Sequence, residues 1–136
     1  MTRFLLAMLL GAAAAGCRTP TTPSLTSAQV SGTWRLISIQ VTNSSTVPVP
    51  ETATYNMTLA DGRVSVTADC NVCTSTFTLS GASLTIGPNL ACTRASCPTF
   101  QYENAYETLL SGESIAQING NTLTLTSARG RLTFSR

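Results

Sequence analysis

The sequence predicts a mainly β domain of the α+β class: a compact curved antiparallel sheet or partly open barrel of about seven or eight strands, with one helix. First, apolar and polar residues alternate in short runs from Val30 onward, with turn residues between the runs. Second, one stretch, 99–111, has its apolar residues at helical spacing instead. Third, serine and threonine are abundant and lysine is absent, a composition that favours strands over helices.

The strands follow from the alternating runs. The first is predicted over 33–41, where the apolar set changes from Trp34 and Leu36 to Ile37, Ile39 and Val41, which indicates a β-bulge or a change of the buried face. Residues 43–52 contain two prolines and predict a loop, and the segment 70–73 is predicted to lie between strands. The remaining strands are predicted around 55–59, 64–68, 77–79, 84–86, 115–118, 123–125 and 132–134, mostly as hairpins.

The helix is predicted over 99–111, about three turns. Tyr102, Tyr106 and Leu109 lie on its apolar face and are expected to pack on the sheet. Thr99 stands where an N-cap is expected, and Gly112 stands where a left-handed residue ends a helix.

The first residues predict export. Residues 1–16 combine a short positive region at Arg3, an apolar run over 4–10 and a series of small residues, the pattern of a removable signal peptide. The apolar run is too short to span a bilayer as a helix.

The end of this segment, Ala14-Ala15-Gly16-Cys17, resembles the lipobox of bacterial lipoproteins. That resemblance implies cleavage before Cys17, whose sulfur would then carry diacylglycerol and hold the protein on a membrane. Ala14 stands where leucine is common, and the alternative is ordinary cleavage that leaves Cys17 as a thiol. Residues 17–29, rich in proline, threonine and serine, are predicted to form a flexible tether. Arg18, in place of an aspartate, favours the periplasmic face of the outer membrane over the inner membrane.

Five cysteines are an odd number for an exported protein, and lipidation of Cys17 would leave an even set, namely Cys70, Cys73, Cys92 and Cys97. Three interpretations stand: a structural zinc site, a redox-active CxxC pair, or two disulfides. Export favours disulfides, because thiols are oxidised outside the cytoplasm. Spacing leaves three pairings open. We favour Cys70–Cys97 with Cys73–Cys92, since bridges between the two clusters close longer loops and stabilise more.

The amino-acid composition argues against several classes of function. Histidine and lysine are both absent, which removes the common general bases and the partners that activate a serine nucleophile. The six acidic residues form no paired constellation, and the chain carries no polybasic patch for nucleic acid. We therefore predict a protein without enzymatic activity, cofactor or bound metal, and with no nucleic-acid partner.

The motifs together resemble the META domain, the HslJ-like family, over about 32–134. The residues that carry the resemblance are GTWRLIS at 32–38, Cys70-Asn71, Thr93-Arg94, Cys97 and the last predicted strands. Asp69 departs from the family's glycine, and Cys73 and Cys92 stand where the family often has apolar residues, which suits an added disulfide. The resemblance implies a compact β fold with one helix, often found on envelope lipoproteins, and names no ligand.

Candidate binding residues are Asn71, Thr93 and Arg94, each with a structural alternative. Asn71 is expected to satisfy backbone groups in the turn after Cys70, and Arg94 to pair with Asp69 or with carbonyl groups. The function expected is a non-enzymatic binding or stress-related structural role in the cell envelope, with an envelope protein or a cell-wall polymer as partner. The alternatives are an inhibitor of an envelope or extracellular hydrolase and a weak thiol-redox or zinc-binding module.

Overall fold

The computed structural model describes residues 16–136, so the predicted signal peptide lies outside the described residues except for Gly16. Ten strands and two helices occupy the described part of the chain. The helices are α1 (Ser27–Val30) and α2 (Phe100–Leu110). The strands are β1 (Gly32–Val41), β2 (Val47–Pro48), β3 (Tyr55–Ala60), β4 (Arg63–Ala68), β5 (Asn71–Ser80), β6 (Ser83–Ile86), β7 (Ala91–Cys92), β8 (Gly112–Asn119), β9 (Thr122–Ser127) and β10 (Gly130–Ser135).

Eight of the strands form a closed antiparallel barrel. Their order is β1-β3-β4-β5-β6-β8-β9-β10, and β10 pairs with β1 to close the ring. The two short strands lie outside this ring, with β2 paired to β1 and β7 paired to β5. The predicted fold class is confirmed, and the barrel is closed rather than partly open.

The predicted bulge in β1 is present. The register against β10 shifts between Leu36, opposite Phe134, and Ser38, opposite Thr133. The extra residue in β1 shifts the alternation of inward and outward side chains by one position. Leu36 and Ile39 are therefore both buried, although they lie three positions apart along the chain. One strand therefore supplies core residues on both sides of an irregularity.

Apolar side chains fill the barrel interior. An eight-stranded barrel is just wide enough for inward side chains to pack against one another. The largest fully buried side chains are Trp34, Tyr55, Tyr106, Phe134, Met57, Leu59, Leu84, Ile86, Leu110, Leu123, Leu125 and Leu132. They come from α2 and from five of the eight barrel strands, so one core connects the helix to most of the barrel.

The antiparallel order sorts the connections into two ends of the barrel. We call the end with the hairpin turns after Ala60, Ser80 and Asn119 the proximal end. We call the opposite end, with the turn Asp69-Cys70, the loop 93–99 and α2, the distal end. β1 and the chain before it begin at the proximal end, since Gly32 is opposite Leu59.

The chain reaches the barrel at the proximal end. The Leu25 amide donates to the Gly81 carbonyl at 3.0 Å, and Leu25 packs against the core. Thr26 and Gln29 form a capping box at the start of α1. The indole of Trp34 donates to the Val30 carbonyl at 2.7 Å. Leu25, which the prediction assigned to the tether of residues 17–29, thus contacts the barrel, as does Val30, whereas residues 26–29 between them are exposed.

The distal end differs from the prediction in two places. Cys73 lies within the long strand β5 and not between strands, because Asn71 already pairs with Ala68 of β4. Part of the predicted loop 43–52 pairs with β1 as the two-residue strand β2. Within 16–136, neither helix is long and apolar enough to cross a membrane.

Candidate functional site

Asn71 is the central polar residue of the distal end. It is 2% exposed, although asparagine is seldom buried. Its Oδ1 accepts from the Thr93 hydroxyl at 2.9 Å and from the Ala95 amide at 2.8 Å. Its Nδ2 donates to the Ala95 carbonyl at 3.0 Å and to Glu103 Oε1 at 2.8 Å. Asn71 thus satisfies backbone groups as expected, but those groups belong to the distant loop 93–99 and not to its own turn.

Glu103 completes this buried cluster, although no sequence motif marked it as a site residue. It lies in the first turn of α2 and is 3% exposed. Burial raises the pKa of the Glu103 carboxyl, the bond from Asn71 opposes that rise, and nearby Glu107 adds to it. The available signal was spacing, because Glu103 shares a helical face with the buried residues Tyr106 and Leu110.

Arg94 pairs with Glu107, so the expected partner Asp69 was wrong. Its guanidinium Nη1 lies 3.1 Å from Oε1 and 3.0 Å from Oε2 of Glu107. The Arg94 side chain is 63% exposed and that of Glu107 only 14%. α2 crosses the distal end and presents Glu107 to the loop, a placement that local sequence does not reveal.

Asp69 holds the start of α2 instead. Its Oδ2 accepts from the Thr99 hydroxyl at 2.6 Å, and that hydroxyl accepts from Tyr55 at 2.8 Å. Thr99 occupies the N-cap position, yet its side chain makes no capping bond because Asp69 engages it. Asp69 has a φ of 55°, a left-handed conformation that glycine adopts easily and that aspartate tolerates. This explains how aspartate can stand at the position of the family's glycine.

Two cysteine pairs hold the distal loop to the barrel. Cys70 and Cys97 lie at disulfide distance with Cα atoms 5.7 Å apart. Cys73 and Cys92 do the same across β5 and β7, with Cα atoms 4.0 Å apart. These are the two predicted pairs. Among the described residues, Cys17 is the cysteine outside a disulfide, and it is exposed.

Comparison with known protein families identifies one family for this chain. A family model described as the META domain matches residues 25–136. The chain belongs to the META domain family. The matched range begins at Leu25, the residue at which the chain first bonds to the barrel. No curated protein matches the sequence significantly.

Two solved structures share the META-domain fold of this chain. An NMR structure of a protein from Burkholderia xenovorans is 21% identical with a TM-score of 0.69, over 93% of this chain and 98% of that one. A second NMR structure is 24% identical with a TM-score of 0.65, over 82% of this chain and 94% of that one. At these identities the likeness extends to the fold alone.

Three tyrosines lie beneath the distal end of this META domain. The ring of Tyr55 meets those of Tyr102 and Tyr106 edge to face, with centroids 5.1 and 5.4 Å away. Burial raises the pKa of each of the three phenols. The Tyr106 hydroxyl is buried and has no hydrogen-bond partner among residues 16–136.

The geometry of the distal end is that of a rigid, internally bonded surface. The candidates Asn71 and Thr93 are brought together, and both bond to other protein groups. Arg94 lies beside them with much of its guanidinium side chain exposed. Such an arrangement can fix the shape of the exposed loop 93–99 and present a cation at its surface.

Proposed function

We propose that this META-domain protein is a non-enzymatic lipoprotein of the bacterial cell envelope, anchored through Cys17. We further propose that it binds an envelope protein or a cell-wall polymer with its distal end, from the periplasmic face of the outer membrane. The observation that carries the proposal is the arrangement of the two barrel ends. The chain from Cys17 arrives at the proximal end, and the disulfide-bonded surface lies at the opposite end.

This arrangement suits a tethered binding domain. Residues 17–24 precede the first bond to the barrel, and eight residues span at most roughly 29 Å when extended. A domain held so closely by its proximal end would keep its distal end directed away from the membrane. The two cysteine pairs and the Asn71 cluster would keep loop 93–99 in one shape, which lowers the entropy cost of binding.

Two features support a role without catalysis. The chain contains neither histidine nor lysine, so acid–base or nucleophilic chemistry would depend on carboxylates, tyrosine or thiols. Of these, Glu103 is bonded to Asn71 and Glu107 to Arg94. The three tyrosines have raised pKa values and stay protonated at neutral pH.

Lipid attachment is tested by labelling cells with an alkyne fatty acid. The full chain and its Cys17→Ser variant are expressed in parallel and compared on gels. We expect label on the unaltered chain and none on the variant. Equal label on both would exclude Cys17 as the lipid carrier.

Binding at the distal end is tested by photo-crosslinking in cells. A photoreactive residue replaces Ser96, which is exposed in the distal loop, and, in a matched control, Asn121, which is exposed at the proximal end. We expect a discrete adduct from position 96 and not from position 121. Adducts of equal yield from both positions, or none from position 96, would contradict distal binding.

A further inference from the structure

We propose that reduction of the Cys73–Cys92 disulfide creates a zinc site, in which both thiolates and the Glu107 carboxylate bind the ion. The metal-binding form would be the reduced protein, and the site does not depend on the proposed binding at the distal surface. The reductant would be a dithiol.

Three elements bring the ligand atoms together. Cys73 is in β5, Cys92 is opposite it in β7, and Glu107 reaches them from α2. Glu107 Oε1 lies 3.7 Å from Cys73 Sγ. The two sulfur atoms and a carboxylate oxygen all lie within 4.8 Å of one another.

These separations suit one ion. Zinc binds thiolate sulfur at about 2.3 Å and carboxylate oxygen at about 2.0–2.2 Å, so two tetrahedral ligand atoms lie roughly 3.5 Å apart. Breaking the bridge would let the two sulfurs separate by side-chain rotation, and the carboxylate already lies at the required range. Two thiolates and one carboxylate leave the fourth tetrahedral position to water.

The zinc site would form in two steps, reduction of the disulfide and then binding of the ion. The dithiol gives two electrons and two protons to the Cys73–Cys92 bridge and itself becomes a disulfide. Each cysteine thiol then loses its proton to water as Zn²⁺ binds, and Glu107 exchanges its ion pair with Arg94 for the metal. Arg94 therefore competes with the ion for the same carboxylate.

The other cysteine pair, Cys70–Cys97, belongs to no comparable group of ligand atoms. Cys97 Sγ accepts a bond from Asn71 Nδ2 at 3.1 Å, so a neutral amide and not a carboxylate is its near partner. In the described part of the chain, the group of Cys73, Cys92 and Glu107 is the one set of three potential ligands close enough to hold an ion.

The test uses Co²⁺ as a spectroscopic substitute for Zn²⁺. The full chain carries Cys17→Ser, Cys70→Ser and Cys97→Ser, so that Cys73 and Cys92 are its remaining thiols, and a phosphine reduces it, becoming phosphine oxide. We expect one Co²⁺ per chain with a thiolate-to-cobalt absorption band. Adding Cys92→Ser should abolish the band, and Glu107→Gln should weaken affinity about tenfold or more.

Arg94→Gln supplies the discriminating result, because removal of the competing cation should tighten Co²⁺ binding. Far-ultraviolet circular dichroism follows the β structure throughout. The proposal is wrong if reduction produces no thiolate–cobalt band, or if reduction unfolds the chain and Co²⁺ does not restore its β spectrum. An unchanged affinity in Glu107→Gln would remove the carboxylate from the site and would also overturn the proposal.

Discussion

The side-chain amide of Asn71 donates to the buried carboxylate of Glu103, 32 residues further along the chain, at 2.8 Å. This bond joins the start of β5 to the first turn of α2. Asn71 also holds Thr93 and Ala95, so one side chain connects a strand, a loop and a helix. The Cys70–Cys97 disulfide lies directly beside it, since Cys97 Sγ accepts from the same amide.

Replacement of Asn71 by alanine is expected to destabilise the domain strongly. The change leaves the Ala95 amide and the Glu103 carboxylate without their partner in a buried site, and unpaired buried groups cost about 1–3 kcal/mol each. We expect a loss of roughly 3 kcal/mol in the free energy of unfolding, measured by urea denaturation. Asn121→Ala, at an exposed turn, is the control and should change stability by less than about 0.5 kcal/mol. A small effect of Asn71→Ala would show that the cluster is dispensable.

Glu103→Gln is expected to stabilise the domain at neutral pH. Glutamine can accept the Asn71 bond and carries no charge to bury. Because the pKa of Glu103 is raised in the folded state, folded protein holds the proton more tightly than unfolded protein. Stability of the unaltered chain therefore falls as pH rises from the unfolded pKa, near 4.5, through the folded value.

Urea denaturation at two pH values measures this effect. Below the unfolded pKa, Glu103 is protonated in both states, so the advantage of Glu103→Gln should disappear there. Glu113→Gln is the matched control, because Glu113 is exposed on β8. An advantage that is the same at low and neutral pH would contradict the role of charge burial.

Two tyrosine-to-phenylalanine changes should differ in their effect on stability. Tyr106→Phe removes a buried hydroxyl that has no partner within 16–136, so we expect unchanged or increased stability. Tyr55→Phe removes the bond to Thr99 and should cost about 1 kcal/mol. Thermal unfolding of both variants makes the comparison. A clear loss of stability in Tyr106→Phe would mean that its hydroxyl has a partner, such as a buried water molecule.

Arg136→Ala should loosen the proximal end. Its guanidinium lies 4.3 Å from the ring centroid of Trp34. It also donates to the carbonyls of Gln29 and Ser31, at 3.3 and 3.4 Å. We expect a loss of about 1 kcal/mol and a changed emission from Trp34, the single tryptophan. Arg131→Ala changes an exposed arginine of β10 and should leave the emission unchanged. An equal change in both variants would refute the contact.

The sequence predicts the barrel strands well because their inward positions alternate. The short strands β2 and β7 were missed, since two residues are too few for alternation to appear. The segment 70–73 was placed between strands because Asn71 and two cysteines give no apolar pattern, although Asn71 is buried for its hydrogen bonds. Asn71 and Thr93 were identified through family motifs, but Glu103 and the Arg94–Glu107 pair depend on how α2 crosses the barrel. That crossing is a tertiary arrangement, and neither turn residues nor hydrophobic periodicity can predict it.

The pairing of β10 with β1 also determines when the domain can form. The two strands lie near opposite ends of the matched range, and Leu36 pairs with Phe134 across most of the length of the domain. Until β10 is available, β1 and β9 would each expose an unpaired edge, and exposed edges invite association between chains. Contacts of such long range also slow folding. A chain shortened before β10 would therefore fail to close the ring and would tend to aggregate.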